Sequence, residues 1–199
     1  MGMVERIPLI EGAYEARSVI ASAQRCVNLY PEKNPEDSPF PFTLYPTPGL
    51  AVRWTPPAAA AGRGLYTSTA GKLYYVVGTG VYYISPAFAA TKLGDLLTAA
   101  TPVSMMDNGE TIVIVDGSIN GYLIDMATNV MTAYADPNFF GSDRVDYLDG
   151  FLMYNKTNTK FFYTTLYGTT AIDGTYIAAK VGSPDNLRAV ACNERQAWL

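Results

Sequence analysis

The sequence predicts an all-β protein, and more specifically a β-propeller whose blades follow one another along the chain. The first observation is a cassette of β-branched and aromatic residues whose turn glycines, Gly71, Gly109 and Gly150, lie 38 and 41 residues apart. The second is a constant order inside each cassette: a short strand, a glycine turn, a longer apolar strand, a polar turn and a third strand. A period near forty with three or four strands in each unit is typical of propeller blades.

The first sixty residues differ from the rest because they hold nine of the 13 prolines. Each proline fixes φ and removes a backbone donor, so this segment is predicted to be an extended, turn-rich arm that cannot form a regular sheet. Short strands are predicted at 26–30 and 42–45, and residues 11–23 are the one stretch compatible with a short helix. A Pro-Pro-Ala-Ala-Ala-Ala connection ends the arm, so we divide the chain into an arm and linker, 1–61, and a partial propeller, 62–199.

Three complete cassettes follow the arm, and their apolar alternation favours antiparallel strands. We assign them to residues 62–101, 102–142 and 143–182. Their first strands are expected near Leu65, Val103 and Val145. The cassettes also contain dipeptides typical of tight turns, namely Asn108-Gly109, Asp116-Gly117, Asn120-Gly121 and Asp149-Gly150.

A fourth cassette begins at 183, and its turn is predicted at Asn193, 43 residues after Gly150. Only four residues of its second strand, 196–199, are present. Propellers have about four to eight blades, so the sequence is expected to cover about half of a larger ring, as a fragment of a longer product or a truncated gene. We expect the open edge to associate with a second copy or to fray, because the unpaired backbone N–H and C=O groups of an edge strand readily pair with another chain.

Composition and charge exclude several functional classes. The formal charge is −4, and residues 61–199 hold 9 Lys and Arg against 12 Asp and Glu, with no basic cluster along the sequence. A protein that binds phosphate backbones over its whole surface needs clustered cations, so this class is disfavoured. The N-terminus lacks a secretory signal and no stretch has the ~20 apolar residues of a membrane span, which predicts synthesis in a cytoplasm. Cys26 and Cys192 have no metal-like spacing and are interpreted as buried free thiols, a disulfide being the alternative in an oxidising compartment.

The chain contains no histidine, which removes Ser-His-Asp and Cys-His catalysis and the commonest metal ligand. Carboxylate or tyrosine chemistry remains, and the best candidate cluster contains Asp143, Asp146 and Asp149. Residues i and i+3 of a strand point to opposite faces, so Asp143 and Asp146 are not expected to share a site. Asp149 is more simply the first residue of an Asp-Gly turn. We therefore predict no catalytic residue.

Other short patterns are also explained without a ligand. The Asp-rich turns at 107–110 and 116–120 supply too few oxygen ligands for calcium. Gly78-Thr-Gly80 joins two strands and is interpreted as a hairpin connection. The tyrosine pairs 74–75 and 82–83 could stack on sugars or bases, but alternation along a strand favours core packing for one of each pair. No cofactor or metal is predicted.

Several separated motifs, in order, nevertheless resemble one family. They are Ile-Pro-Leu-Ile at 7–10, Tyr-Glu-Ala-Arg-Ser at 14–18, Ser-Ala-Gln-Arg-Cys-Val-Asn-Leu-Tyr-Pro-Glu at 22–32, Leu-Tyr-Pro-Thr-Pro-Gly-Leu at 44–50, Pro-Val-Ser-Met-Met-Asp-Asn-Gly at 102–109, Ile-Val-Asp-Gly at 114–117 and Ser-Pro-Asp-Asn-Leu at 183–187. Together they resemble the packaged-DNA-stabilisation proteins of short-tailed bacteriophages and prophages. The resemblance runs nearly end to end, although members of that family typically continue past the point that corresponds to Leu199.

The resemblance implies a structural virion protein of the phage tail, a hub or nozzle that retains packaged double-stranded DNA and forms its exit channel. It implies a homo-oligomeric ring in the full-length family, contacts with the head–tail adaptor and other tail proteins, passage of DNA without sequence-specific binding, and no membrane partner. It implies no enzyme activity and no catalytic residues. The alternative is a carbohydrate-binding or glycosidase-like propeller, favoured if the largest pocket holds two carboxylates roughly 5–10 Å apart.

Overall fold

The computed structural model describes residues 27–56 and 59–199, and these residues form sixteen β-strands and no helix. The chain divides into two compact units, Met1–Val52 and Arg53–Leu199. The helix-compatible stretch at 11–23 and Cys26 lie outside the described residues. The arm boundary predicted between 61 and 62 stays a prediction.

The described part of the first unit contains a β-hairpin. Strands β1 (Leu29–Lys33) and β2 (Phe42–Pro46) pair antiparallel, with Tyr30 opposite Tyr45 and their rings stacked at 5.6 Å. The prediction that this segment forms no regular sheet was therefore wrong, and the first strand lies about three residues later than expected. Prolines are tolerated here because each strand of a two-stranded sheet has a free edge that needs no ladder donor.

The second unit contains three four-stranded antiparallel sheets and a two-stranded one, each a simple meander. The first sheet comprises β3 (Gly62–Thr67), β4 (Leu73–Val77), β5 (Gly80–Ile84) and β6 (Ala90–Asp95). The second comprises β7 (Ser104–Asp107), β8 (Thr111–Val115), β9 (Gly121–Asp125) and β10 (Met131–Ala133). The third comprises β11 (Val145–Leu148), β12 (Phe151–Asn155), β13 (Phe161–Thr165) and β14 (Ile172–Ala179), and the fourth β15 (Ala191–Asn193) and β16 (Gln196–Trp198).

This arrangement confirms the predicted all-β fold of three blades and the beginning of a fourth. The first strands lie at or next to Leu65, Val103 and Val145, as the repeat predicts. Each complete sheet also has a fourth, outer strand that the three-strand cassette did not reveal. These outer strands are β6, β10 and β14, which carry a weaker apolar signal because their burial is low.

Two of the predicted turns differ in detail. Asn193 is the last residue of β15, and the turn itself is Glu194-Arg195, both with positive φ. Gly121 is the first residue of β9 and not a turn residue; a Cβ there would lie 2.7 Å from the Phe139 ring. Asp149-Gly150 does form the predicted tight turn, since both residues have positive φ between Leu148 and Phe151.

The apolar core lies between successive sheets. Strand β8 contributes core side chains to both faces of the second sheet. Ile112 and Ile114 pack toward the first sheet, and Val113 and Val115 pack toward the third. All four side chains are fully buried. A continuous apolar strand of this kind is the pattern expected where both faces of a sheet are covered.

The fourth sheet differs because it has two strands and few buried neighbours. Met153, Leu187 and Val190 form the small cluster between the third and fourth sheets, while Trp198 is 63% exposed. The sheets of the second unit do not close on one another. The described propeller is therefore a partial ring.

Candidate functional site

The junctions between neighbouring sheets are the most elaborate polar features of the second unit. The first strand of each sheet contacts the first strand of the next, so β3, β7, β11 and β15 follow one another in space. Such innermost strands surround the axis of a propeller. Hydrogen bonds join them in turn, from Val103 N to Arg63 O at 3.0 Å, from Val145 N to Ser104 Oγ at 3.2 Å and from Cys192 N to Asp146 Oδ2 at 2.6 Å.

Arg63 occupies the junction between the first two sheets, and its side chain is 2% exposed. Its Nη1 donates to the carbonyl oxygens of Gly78 at 2.8 Å and Thr98 at 2.6 Å, and Nε donates to that of Thr101 at 2.6 Å. Its Nη2 donates to the hydroxyl oxygens of Thr98 and Thr101. The guanidinium therefore joins the β4–β5 turn to the segment that connects the two sheets.

Asp116, from the second sheet, balances this buried charge. Its Oδ2 lies 3.8 Å from Arg63 Nη2 and accepts a hydrogen bond from the Thr98 hydroxyl, while Oδ1 accepts from Ser118 N and Oγ. Burial lowers the pKa of the guanidinium, and the nearby Asp116 opposes that shift. An arginine remains charged even so, which makes the pair a fixed buried ion pair.

Asp107 forms a second polar junction between the first two sheets. It lies where β3 and β7 end, whereas Arg63 lies where β3 begins. Its Oδ2 accepts from Tyr66 Oη at 2.7 Å and Thr69 N at 2.9 Å, and its Oδ1 accepts from Thr69 Oγ1 at 2.6 Å and Gly109 N at 2.9 Å. Burial raises the pKa of Asp107, but the hydrogen bonds from Thr69, Tyr66 and Gly109 outweigh it and hold the pKa below its usual value. The carboxylate is thus an ionised acceptor that joins the first sheet to the second.

A third polar centre precedes the innermost strand of the third sheet. The fully buried Asn155 accepts, at Oδ1, hydrogen bonds from Ser142 Oγ, Asp143 N and Arg144 N. Its Nδ2 donates to Asp143 Oδ2 at 3.2 Å. The side-chain amide of Asn155 therefore provides the hydrogen-bond acceptor for the backbone N–H groups of Asp143 and Arg144, directly before β11.

The three aspartates singled out in the sequence do not converge on one site. Asp143 contacts Asn155, and Asp146 accepts from Cys192 N across to the fourth sheet. Asp149 lies in its turn and forms an ion pair with Arg195 at 3.3 Å. Sequence reasoning did not single out Arg63, and it interpreted Asp107 and Asp116 only as residues of short turns, at 107–110 and 116–120.

The tyrosine pairs of the first sheet pack on both of its faces. Tyr74 is fully buried toward the second sheet, and Tyr83 packs against the same cluster. Tyr75 and Tyr82 lie on the other face and contact the Trp54 ring at 5.6 and 5.3 Å. The rings therefore serve packing on this sheet.

A cavity of about 680 Å³ lies between the third and fourth sheets and is lined by two carboxylate residues, Asp149 and Glu194. Tyr147 and Tyr167 also line it. A glycosidase needs one carboxyl group held in an apolar environment as the general acid. Asp149 and Glu194 are both exposed, and Asp149 already pairs with Arg195. The cavity therefore has the two carboxylates that the glycosidase alternative requires. Neither of them has the apolar environment that a general acid needs.

Across 27–56 and 59–199, no group of three or more acidic, cysteine or histidine residues could hold a metal ion. Cys192 is free in the same part of the chain and half-buried, with its Sγ 3.7 Å from Met153 Sδ. Burial raises the pKa of this thiol to about 11, with a further contribution from Asp146, so it is not an activated nucleophile. Residues 27–56 and 59–199 include no helix long and apolar enough to cross a membrane.

A protein-family model matches almost the whole chain. A family model described as bacteriophage P22 Gp10, β-propeller, matches residues 5–199. The chain belongs to this phage stabilisation family. This family is one of structural phage proteins.

Among solved structures, this phage stabilisation protein is similar to the crystal structure of the N-terminal domain of Nup159, with a TM-score of 0.51 and 12% identity. The similarity covers 75% of this chain and 41% of that one. At such low identity it shows the fold alone, which is the propeller architecture. No curated protein sequence matches the chain.

Proposed function

We propose that this chain is part of a tail hub or nozzle that retains packaged double-stranded DNA and forms its exit channel. The observation that supports the proposal best is the family match over residues 5–199. In this proposal the chain contributes to a homo-oligomeric ring, contacts the head–tail adaptor, binds no membrane, and is made in the host cytoplasm before it enters the virion. Its contribution is structural and not enzymatic.

The innermost strands support a role as a channel wall. The exposed side chains on these strands are uncharged, as at Leu65, Thr67 and Tyr147. Arg63 and Asp107 are buried, and the half-buried Asp146 accepts from Cys192 N. Affinity for a DNA backbone comes mainly from exposed lysine and arginine. A wall without exposed cations would let DNA slide past it without sequence-specific binding.

The buried junctions support mechanical resistance. An apolar cluster joins the first sheet to the second and another joins the second to the third. Hydrogen bonds to the Asp107 and Asp146 carboxylates, which are stronger than neutral ones, join the first sheet to the second and the third to the fourth. A hub under the outward pressure of packaged DNA needs blades that do not separate.

The test is DNA retention in a phage or prophage that encodes this chain. We expect a deletion of its gene to give capsids that package DNA and then release it, so that the DNA becomes sensitive to nuclease. Expression of the native gene product from a plasmid should restore protected DNA, and an internal deletion that removes β7–β10 should not. Nuclease-resistant DNA in the deletion mutant would contradict the proposal.

The glycosidase alternative has its own test, because Asp149 and Glu194 line the cavity between the third and fourth sheets. We expect the purified protein to turn over no chromogenic glycoside above the blank, and Asp149→Asn and Glu194→Gln to change nothing, because neither carboxyl group lies in an apolar environment. Hydrolysis that either substitution abolishes would overturn the structural assignment.

A further inference from the structure

Five cations meet at one end of the third sheet, although they are dispersed in the sequence. We call this surface the cationic end; its members are Arg144, Lys156, Lys160, Lys180 and Arg188. Arg144 precedes the innermost strand β11, the two lysines at 156 and 160 bracket the β12–β13 turn, and Lys180 follows the outer strand β14. The surface therefore extends from the innermost strand of the sheet to its outer edge.

Backbone contacts fix this arrangement. Arg144 N donates to Asn155 Oδ1 at 2.8 Å, which places Arg144 beside the end of β12. Lys180 N donates to Lys160 O at 2.9 Å, so these two lysines are cross-strand neighbours. Leu187 N donates to Thr159 O at 2.7 Å, which brings Arg188 to the same turn.

None of the five cations has an ion-pair partner in the described part of the chain, where the ion pairs are Arg63–Asp116, Lys92–Asp95 and Arg195–Asp149. Two exposed or half-buried acids lie nearby. Asp143 accepts from Asn155 Nδ2, and Asp185 accepts from Ser183 Oγ. Five positive and two negative charges leave the cationic end with a net charge of +3, on a protein whose formal charge is −4.

The other two complete sheets have no such surface at the corresponding end. In the first sheet Arg63 is buried, and Lys92 is paired with Asp95 at 2.8 Å. The turn of the second sheet that corresponds to 156–160 runs from Asp116 to Asn120 and contains no cation. The charge is therefore specific to the third sheet and does not follow from the repeat.

A cavity of about 400 Å³ opens at the inner part of this surface, lined by Arg144, Arg188 and Thr157 among others. The Thr157 hydroxyl is buried and has no hydrogen-bond partner among the described residues. A buried hydroxyl without a partner is costly, so a ligand oxygen or water at this position would be favoured. Asp116 and Asp143 also line the cavity, which disfavours a small free anion deep inside it.

We propose that the cationic end binds the phosphate backbone of double-stranded DNA. Arg144 and Arg188 are exposed and the three lysines are half-buried, with Lys156 Nζ 4.4 Å from the centre of the Phe140 ring. A row of cations spread along a surface suits a polyanion better than a single small anion. The turn between the lysines, Lys-Thr-Asn-Thr-Lys, is entirely polar. Protein–protein interfaces usually have an apolar or aromatic centre, whereas DNA-binding surfaces are polar and positively charged. The inference rests on the proposed function, which brings DNA to the ring, and assigns it a contact surface outside the uncharged wall.

The test compares two charge-reversal triples in the full chain. One is Lys156→Glu, Lys160→Glu and Lys180→Glu in the cationic end; the matched control is Arg53→Glu, Lys92→Glu and Arg195→Glu, exposed cations outside it. The probe is a fluorescent 20-base-pair duplex of random sequence, titrated at several salt concentrations. Melting curves establish that both triples are folded.

We expect the unmodified chain to bind the duplex at low salt, and the cationic-end triple to lose at least tenfold in affinity, while the control changes by less than about threefold. Each phosphate contact contributes about 0.9 to the log–log salt slope, so the slope of the cationic-end triple should fall by about 2 to 3. Inorganic phosphate at equal ionic strength should not compete better than chloride.

Three results would overturn the inference: no duplex binding at low salt, equal losses in the two triples, or salt-sensitive self-association through the cationic end. The last would mean that the acidic hairpin of a second copy, with Glu32 in β1 and Glu36 and Asp37 in the β1–β2 turn, occupies this surface. Lysine substitutions at those three positions would then abolish the association. If duplex binding fails while particles still require the gene product to retain DNA, the proposed function stands and the inference alone falls.

Discussion

Replacement of Arg63 with methionine is expected to lower the free energy of unfolding by about 3–5 kcal/mol, since removal of one partner leaves the other charge buried and unpaired. The Asp116 carboxylate would lose its cation, and the carbonyl oxygens of Gly78, Thr98 and Thr101 would lose their donor. Methionine has a similar length and fills part of the space, so the loss reports mainly on charge and hydrogen bonding. Urea unfolding, followed by tyrosine and tryptophan fluorescence, measures it.

Two further variants separate the cause. Arg53→Met removes an exposed arginine and should change the free energy of unfolding by less than about 0.5 kcal/mol. The double variant Arg63→Met, Asp116→Leu should be less destabilised than the sum of the two single variants, because the residues share one network. A single Arg63→Met variant within about 1 kcal/mol of the unmodified protein would show that water or a rearrangement satisfies the junction.

Replacement of Asp107 with asparagine should destabilise the protein by about 2–4 kcal/mol at neutral pH. Four donors, from Tyr66, Thr69 and Gly109, point at the two carboxylate oxygens. Asparagine would present an NH₂ group to two of them, and a hydrogen bond to a charged group contributes about 1.5–3 kcal/mol. Thermal and urea unfolding at pH 7 measure the loss, and the exposed Asp185→Asn is the control.

The same pair of proteins should show a pH dependence with a definite sign. The pKa of Asp107 lies below its ordinary value in the folded protein, so its stabilising effect is complete above the unfolded value of about 3.9. The effect is lost as the pH falls through the lower, folded pKa. The difference in unfolding free energy between the unmodified protein and Asp107→Asn should therefore shrink below about pH 4. A difference that stays constant from pH 7 to pH 3 would mean that Asp107 is not ionised in the fold.

Local signals in the sequence were sufficient for the blades. Turn glycines with a regular spacing and apolar strands between them report backbone conformation residue by residue, so the three cassettes and the first strands near Leu65, Val103 and Val145 were predicted correctly. The outer strands were missed because an edge strand has only one paired neighbour and tolerates polar residues. Two short strands were predicted in the arm, but their pairing into a sheet was missed because proline was given too much weight for a strand with a free edge.

The polar junctions could not be predicted in this way, because they are formed by residues that are distant from one another in the sequence. Arg63 reaches acceptors 15 to 38 residues away, and Asp107 reaches donors 38 to 41 residues before it. Nothing in Gly-Arg-Gly or Asp-Asn-Gly specifies that these side chains are buried between two sheets. An exposed arginine and a turn aspartate have the same local sequence pattern.

Taken by itself, the sequence determined the all-β class, the number of complete blades and the absence of histidine chemistry, because composition and local periodicity carry this information. Only the tertiary structure decided which charges are buried and paired, as with Arg63 and Asp116, and which lie next to one another at the surface. The cationic end shows this most clearly: its five cations are spread from Arg144 to Arg188 in a segment without a basic run, and meet only when the third sheet folds. Electrostatic interactions depend on distance in space and on solvent exposure, and neither quantity is set by spacing along the chain.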